Sequence, residues 1–134
     1  MDKVKYDTKT LAQAIFTINR HAKTALQPKH LYHIKKVAIE KLIKEKRAKK
    51  IGLHFAKNPK FSNQYSTLLV KVDEYYFHLP PSKEDFETLE HLGELDEEFR
   101  NPKTNMSLSY AKKIIYDYID LVPEKVLNKK RKSP

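Results

Sequence analysis

From Leu11 onward the apolar residues Leu11, Ala14, Ile15, Ile18 and Ala22 recur every three or four positions, the spacing of one helix face. Thr8 stands where an N-cap hydroxyl is expected, and Gln27-Pro28 biases the chain away from the α region, so a first helix should end near Thr24. Pro28 suits the first turn of the next helix, where a missing N–H costs nothing. That second helix is predicted to run to about Lys49. Leu31, Ile34, Ala38 and Leu42 form its buried stripe, widened by Val37, Ile39 and Ile43. Another face carries Lys29, His33, Lys36, Lys44 and Arg47, interrupted by Glu40.

The period then shortens to two. In Ile51-Gly52-Leu53-His54-Phe55 the odd positions are apolar, which predicts a half-buried strand. After the polar stretch 57–64 comes a run from Thr67 to Leu79 with Asp73-Glu74 at its centre. A two-residue turn there sets Val72 opposite Tyr75, Val70 opposite Phe77 and Leu68 opposite Leu79. All six are apolar and fall on one face, so the register is self-consistent. The other face carries Leu69, Lys71, Tyr76 and His78, with His54 if the first strand joins the sheet. Asp-Glu is not a favoured turn pair, so a longer or bulged connection is the alternative.

Pro80-Pro81 ends the hairpin. A short helix is expected from near Ser82, with Phe86, Leu89 and Leu92 on its apolar side and Gly93 breaking it. Ser107 is a candidate cap for a last helix with Leu108, Ala111, Ile114, Ile115, Tyr118 and Ile119 inward, closed by Pro123. The expected fold is α+β: two N-terminal helices, a small antiparallel sheet with a hairpin, an acidic connector and a C-terminal helix. Residues 1–124 read as one domain and 125–134 as a basic disordered tail. Two helices followed by a hairpin resemble a winged helix, although that fold expects three helices before its wing.

Charge changes this picture, because it is sorted by segment. Residues 28–50 hold nine Lys/Arg against Glu40 and Glu45, a balance of +7, while residues 83–98 hold eight acids against Lys83, a balance of −7. The whole chain carries +10, with a pI near 9.6. Such a surface attracts a polyanion, or folds its own acidic segment onto its basic one. The chain has no cysteine, so disulfides and thiolate metal sites are excluded. No apolar run follows Met1-Asp2-Lys3-Val4-Lys5 that could act as a signal peptide, and no window reaches the ~18 apolar residues of a membrane span. The expectation is a soluble, cytoplasmic protein with no membrane partner.

Several strings together resemble the YkyB-like family of small bacterial proteins. They are 18–25 (Ile-Asn-Arg-His-Ala-Lys-Thr-Ala), 28–32 (Pro-Lys-His-Leu-Tyr), 50–55 (Lys-Ile-Gly-Leu-His-Phe), 92–96 (Leu-Gly-Glu-Leu-Asp) and 100–104 (Arg-Asn-Pro-Lys-Thr). The resemblance spans residues 10–120 or so. It implies a bacterial intracellular protein and brings no assigned activity and no functional residues with it.

Function must therefore be read from the residues. The second helix offers Lys29, His33, Lys36, Lys44, Arg47, Lys49 and Lys50 as phosphate contacts, whose neutralising charge releases counterions. Lysines far outnumber arginines among the 27 basic residues, which favours backbone contact over base reading. Arg20, Lys23 and the hairpin face with Lys71, Tyr76 and His78 would add orientation or a stacking surface. Each has a plainer reading, as a solvated helix face or as sheet core. Gly52 and Gly93 are the only glycines, so no phosphate-binding glycine loop or dinucleotide fingerprint exists. His30 and His33 share a helix face, and His54 could meet His78 across the sheet, but no metal-site string is present and no cofactor is expected. His21, between Arg20 and Lys23, has the chemistry for acid–base work on a phosphodiester, but its plainer reading, a polar residue at the end of the first helix, is preferred. The reading is a non-catalytic nucleic-acid-binding protein, for DNA or RNA alike. The alternative is a protein-interaction module that uses residues 83–98 as docking surface or shield.

Overall fold

The computed structural model describes residues 6–57, 64–92 and 101–120. Helix α1 (Thr8–Ala22) is capped one residue earlier than expected: Asp7, not Thr8, takes the N-cap, its carboxylate accepting from the Thr10 N–H at 2.7 Å. Its inward residues include all those the spacing predicts, and Ala12 and Thr17 join them, the Thr17 hydroxyl donating to the Gln13 carbonyl. Helix α2 (Lys29–Lys44) follows Pro28. It stops five residues short of the expected end, because Lys46 adopts a left-handed φ of 62° and the chain turns into a strand at Lys49.

The sheet has order β1-β2-β3, with β1 (Lys49–Lys57), β2 (Gln64–Val72) and β3 (Tyr75–Leu79) all antiparallel. The hairpin register is the predicted one, Val72 with Tyr75, Val70 with Phe77 and Leu68 with Leu79. Asp73 takes φ 55° in the two-residue turn, a conformation its short polar side chain tolerates. A bulge at Ile51 shifts β1 by one residue, so Leu53 meets Leu68 while His54 meets Thr67.

Helix α3 (Lys83–Thr88) is held by a capping box between Ser82 and Asp85. The apolar side expected for it is not its buried side. Phe86 and Leu92 are exposed and Asp85 is the residue turned inward, because six residues are too few to present a stripe. The chain then runs beside the free edge of β1: the Leu53 N–H donates to the Glu90 carbonyl and the Leu92 N–H to the Leu53 carbonyl. Gly52 is needed here, since a Cβ on it would lie 2.9 Å from both the Glu90 oxygen and the Leu92 side chain. Asn101 occupies the opposite edge, its amide accepting from the Tyr76 N–H and donating to the Tyr76 carbonyl. Helix α4 (Leu108–Tyr118) begins at the Ser107 cap and packs its predicted apolar face on α1.

The helices α1, α2 and α4 thus form a layer against one sheet face, and their apolar residues make one core with Leu53, Leu68, Val70, Val72, Tyr75, Phe77 and Leu79. The fold is α+β. Pro123 and the tail lie outside the described residues.

Candidate functional site

The basic residues of 28–50 separate into two groups. Lys29, His33, Lys36 and Lys44 lie exposed along one side of α2, with Glu40 among them. This stripe is about 22 Å long at the helical rise. Among the described residues the ion pairs are Lys9–Glu74, Arg47–Glu45 and Lys50–Asp85, so the stripe has none. The second group is turned to the protein itself. Arg47 donates to the Tyr6 carbonyl at 2.7 Å and to Thr8 Oγ1 at 3.2 Å, and its guanidinium lies over the Tyr118 ring. Lys41 donates to the Tyr118 carbonyl. The Tyr118 hydroxyl donates to Glu45, which holds that carboxyl below its ordinary range. Arg47 was expected on the phosphate face; the structure gives it to the joint between α1, α2 and α4. Lys50 is 2.7 Å from Asp85 and ties α3 to β1. Burial pushes the Asp85 carboxyl up, but Lys50 and Ser82 outweigh it and hold it below the usual value.

The second sheet face is not the open stacking platform that Tyr76 and His78 suggest. Leu69, His54 and Thr67 at its centre are buried, and Leu92 supplies part of the cover over Gly52. Lys49, Lys71 and Tyr76 form one row across the three strands, with the Lys71 ammonium 5.6 Å from the Tyr76 ring. Lys49 and Lys71 are exposed. Arg20 is exposed too and rests over Phe16.

One buried cation escaped the sequence reading. Lys35 is 6% exposed on the inner side of α2, and its ammonium donates to Asn19 Oδ1 of α1 at 2.9 Å. Burial, then the nearby Lys23, pushes its pKa down to about 8. His54 and His78 do meet, with ring centroids 4.4 Å apart. His78 is exposed at the sheet surface, yet the protein packed around its ring disfavours the imidazolium: burial first, then His54, Lys35 and Lys23, bring its pKa down to about 4. Lys35 was legible after all. It lies four residues from Leu31 and seven from Leu42, so it belongs to the apolar stripe, where a lysine is out of place.

Of the acidic segment, Asp85 is committed to Lys50 and the cap, while Glu84, Glu87 and Glu90 are exposed. Glu94, Asp96, Glu97 and Glu98 lie outside the described residues. Among the described residues no group of three or more His, Asp or Glu is placed to hold a metal ion, and no helix is long and apolar enough to cross a membrane.

Comparison with known proteins then decides the kinship. The family model described as YkyB-like protein matches residues 7–122. The chain belongs to the YkyB-like family. It is similar to the "Uncharacterized protein YkyB" of Bacillus subtilis (strain 168), 54% identical over 124 residues that cover 92% of this chain and 80% of that relative. No solved structure matches it.

Proposed function

We propose that this YkyB-like protein is a non-catalytic, cytoplasmic nucleic-acid-binding protein that follows a phosphate backbone with the outer side of α2. The observation that carries the reading is the stripe Lys29, His33, Lys36 and Lys44, exposed on a rigid helix and free of carboxylate partners among the described residues. A lysine already paired gains little from a phosphate; an unpaired one gains the counterions it releases. Lys49, Lys71 and Arg20 extend the positive surface, whereas Arg47 and Lys50 serve the fold. The test is a triple charge reversal, Lys29→Glu with Lys36→Glu and Lys44→Glu, read by fluorescence anisotropy on duplex DNA, single-stranded DNA and hairpin RNA. Affinity should fall at least ten-fold with the melting temperature unchanged; equal affinity refutes the assignment to α2.

A second reading is a protein-interaction module docking through residues 83–98. Glu84, Glu87 and Glu90, exposed and without ion pairs among the described residues, favour it. A partner captured from lysate that survives nuclease treatment, and is lost when these three become Gln, would support that reading over the first.

A further inference from the structure

At the protein surface α2 and α4 meet through a histidine and a tyrosine. His30 Nε2 lies 2.7 Å from the Tyr116 hydroxyl, and the two rings pack at a tilt with centroids 5.8 Å apart. His30 is exposed and Tyr116 half-buried. Lys112 stands one turn before Tyr116 on the same face of α4, its ammonium 5.9 Å from the tyrosine ring. His33 stands one turn after His30 and belongs to the exposed stripe, so the pair adjoins the stripe on its α4 side. The titratable groups around His30 are thus His33 on α2 and Lys112 and Tyr116 on α4, with Lys29 beside it in the chain. No acid among the described residues forms an ion pair with any of them. Asp117, next to Tyr116 in the chain, accepts from the Tyr6 hydroxyl at 2.7 Å. Burial first, then Lys112 and His33, hold the His30 pKa below its ordinary 6.5, so the neutral ring dominates at pH 7.

We infer that His30, Tyr116 and Lys112 form a phosphate-contact site that carries the nucleic-acid track of α2 across to α4 and engages the phosphate by taking up a proton. The site rests on the phosphate-tracking role proposed for α2 and extends it. In the neutral pair one hydrogen is spent between ring and hydroxyl, and a single donor is left to point outward. A proton from solvent makes the ring an imidazolium, whose Nε2–H must donate to the hydroxyl oxygen. The Nδ1–H and the phenolic O–H are then both free to donate, and the ring carries a charge. Two donors and a cation suit two oxygens of one phosphodiester, with the Lys112 ammonium as a further point charge beside them. Burial raises the Tyr116 pKa above its ordinary 10, so the hydroxyl keeps the hydrogen it would donate. A bound phosphate favours the imidazolium in turn, which offsets the burial and the neighbouring Lys112 and His33 that disfavour it in the free chain.

The experiment is fluorescence anisotropy of the full chain with labelled duplex DNA, single-stranded DNA and hairpin RNA, at pH 5.5 and pH 8.0 and fixed ionic strength. The tightest probe should bind about ten-fold more tightly at pH 5.5, the gain from a pKa raised by about one unit on binding. Tyr116→Phe keeps the ring and removes the hydroxyl; it should cost about three-fold in affinity at pH 5.5 and less than about two-fold at pH 8.0. His30→Gln, at an exposed position, can still bond the tyrosine but takes no proton, and should show the same low-pH loss; it serves as the second variant should Tyr116→Phe fold poorly. Lys112→Met should weaken binding at both pH values. Followed by NMR, the His30 ring should titrate about half a unit higher, or more, with saturating probe than without. A Tyr116→Phe loss equal at the two pH values, a His30 titration unmoved by the probe, or unchanged affinity in Lys112→Met would mark the pair as a tie between helices and overturn the site. The triple reversal on α2 would then still decide the stripe by itself. Absence of binding to all three probes at both pH values would overturn the site and the proposed function together.

Discussion

Lys35 and Arg47 are both basic, both on or just beyond α2, and physically unalike. Lys35 is a charge buried without an acid among the described residues. Its folded pKa of about 8 lies below the ordinary 10.5, so between those values the unfolded chain holds more proton and stability rises with pH. The cost is fully present below pH 8 and relieved toward pH 10.5, a span worth about 3 kcal/mol. Urea unfolding at pH 7.5 and 10 should therefore show wild type gaining on Lys35→Met as pH rises; parallel curves would contradict the burial. Arg47, in contrast, is satisfied on all sides by Tyr6, Thr8, Glu45 and Tyr118. Arg47→Ala should cost about 1–3 kcal/mol, since it leaves the Tyr6 carbonyl without its charged donor. Thermal unfolding of that variant checks this, and an unchanged melting temperature would return Arg47 to the surface. Lys44→Glu, three residues away and exposed, should leave stability within about 0.5 kcal/mol.

Among the elements, those with a regular apolar period were legible from the residues alone. The hairpin register followed from six apolar side chains that share a face only if Asp73-Glu74 is the turn, and α1 and α4 followed from unbroken helical stripes. Where the period gives out, the reading went astray. The run Lys44–Lys50 is charged except for Ala48, so no apolar period in it marked the left-handed turn at Lys46. The apolar spacing of Phe86, Leu89 and Leu92 suggested a helix face, but these residues span the end of α3 and a segment that hugs the β1 edge. Tertiary contact decided those elements. Gly52 is the clearest instance: its role depends on Glu90 and Leu92, nearly forty residues away. Gly52→Ala should push this segment off the edge strand and cost about 1–3 kcal/mol. Hydrogen exchange should then show faster exchange of the Leu53 and Leu92 amides; retained protection would mean the neighbours give way.

At the scale of the whole molecule, the sorted charge has only partly been spent on the fold. Lys50 with Asp85 is the one described pair that joins the basic and acidic segments, and the α2 stripe stays open on the far side of the helix from the core. The charge map was compatible with a polyanion partner or with an acidic segment folded on a basic one, but could not say which cations were available, because availability is decided by packing. Arg47 looked like a ligand and is a strut; Lys35, to which the sequence reading gave no role, is interior. The three-dimensional arrangement leaves fewer free cations on α2 than the count of lysines suggests, and under the proposed function that is measurable. Each phosphate neutralised on duplex DNA contributes about 0.9 to the slope of log affinity against log salt, so three to four stripe contacts predict a slope of about −3.

The measurement that bears most directly on the account is anisotropy of a labelled duplex against salt, for the wild-type chain, a chain ending at Glu124 and the Lys29→Glu/Lys36→Glu/Lys44→Glu variant. The account predicts micromolar or tighter binding at physiological salt, a slope near −3 that survives removal of the tail, and a shallower slope with at least ten-fold weaker binding in the variant. Binding that vanishes with the tail, or a slope and affinity untouched by the triple reversal, would contradict it.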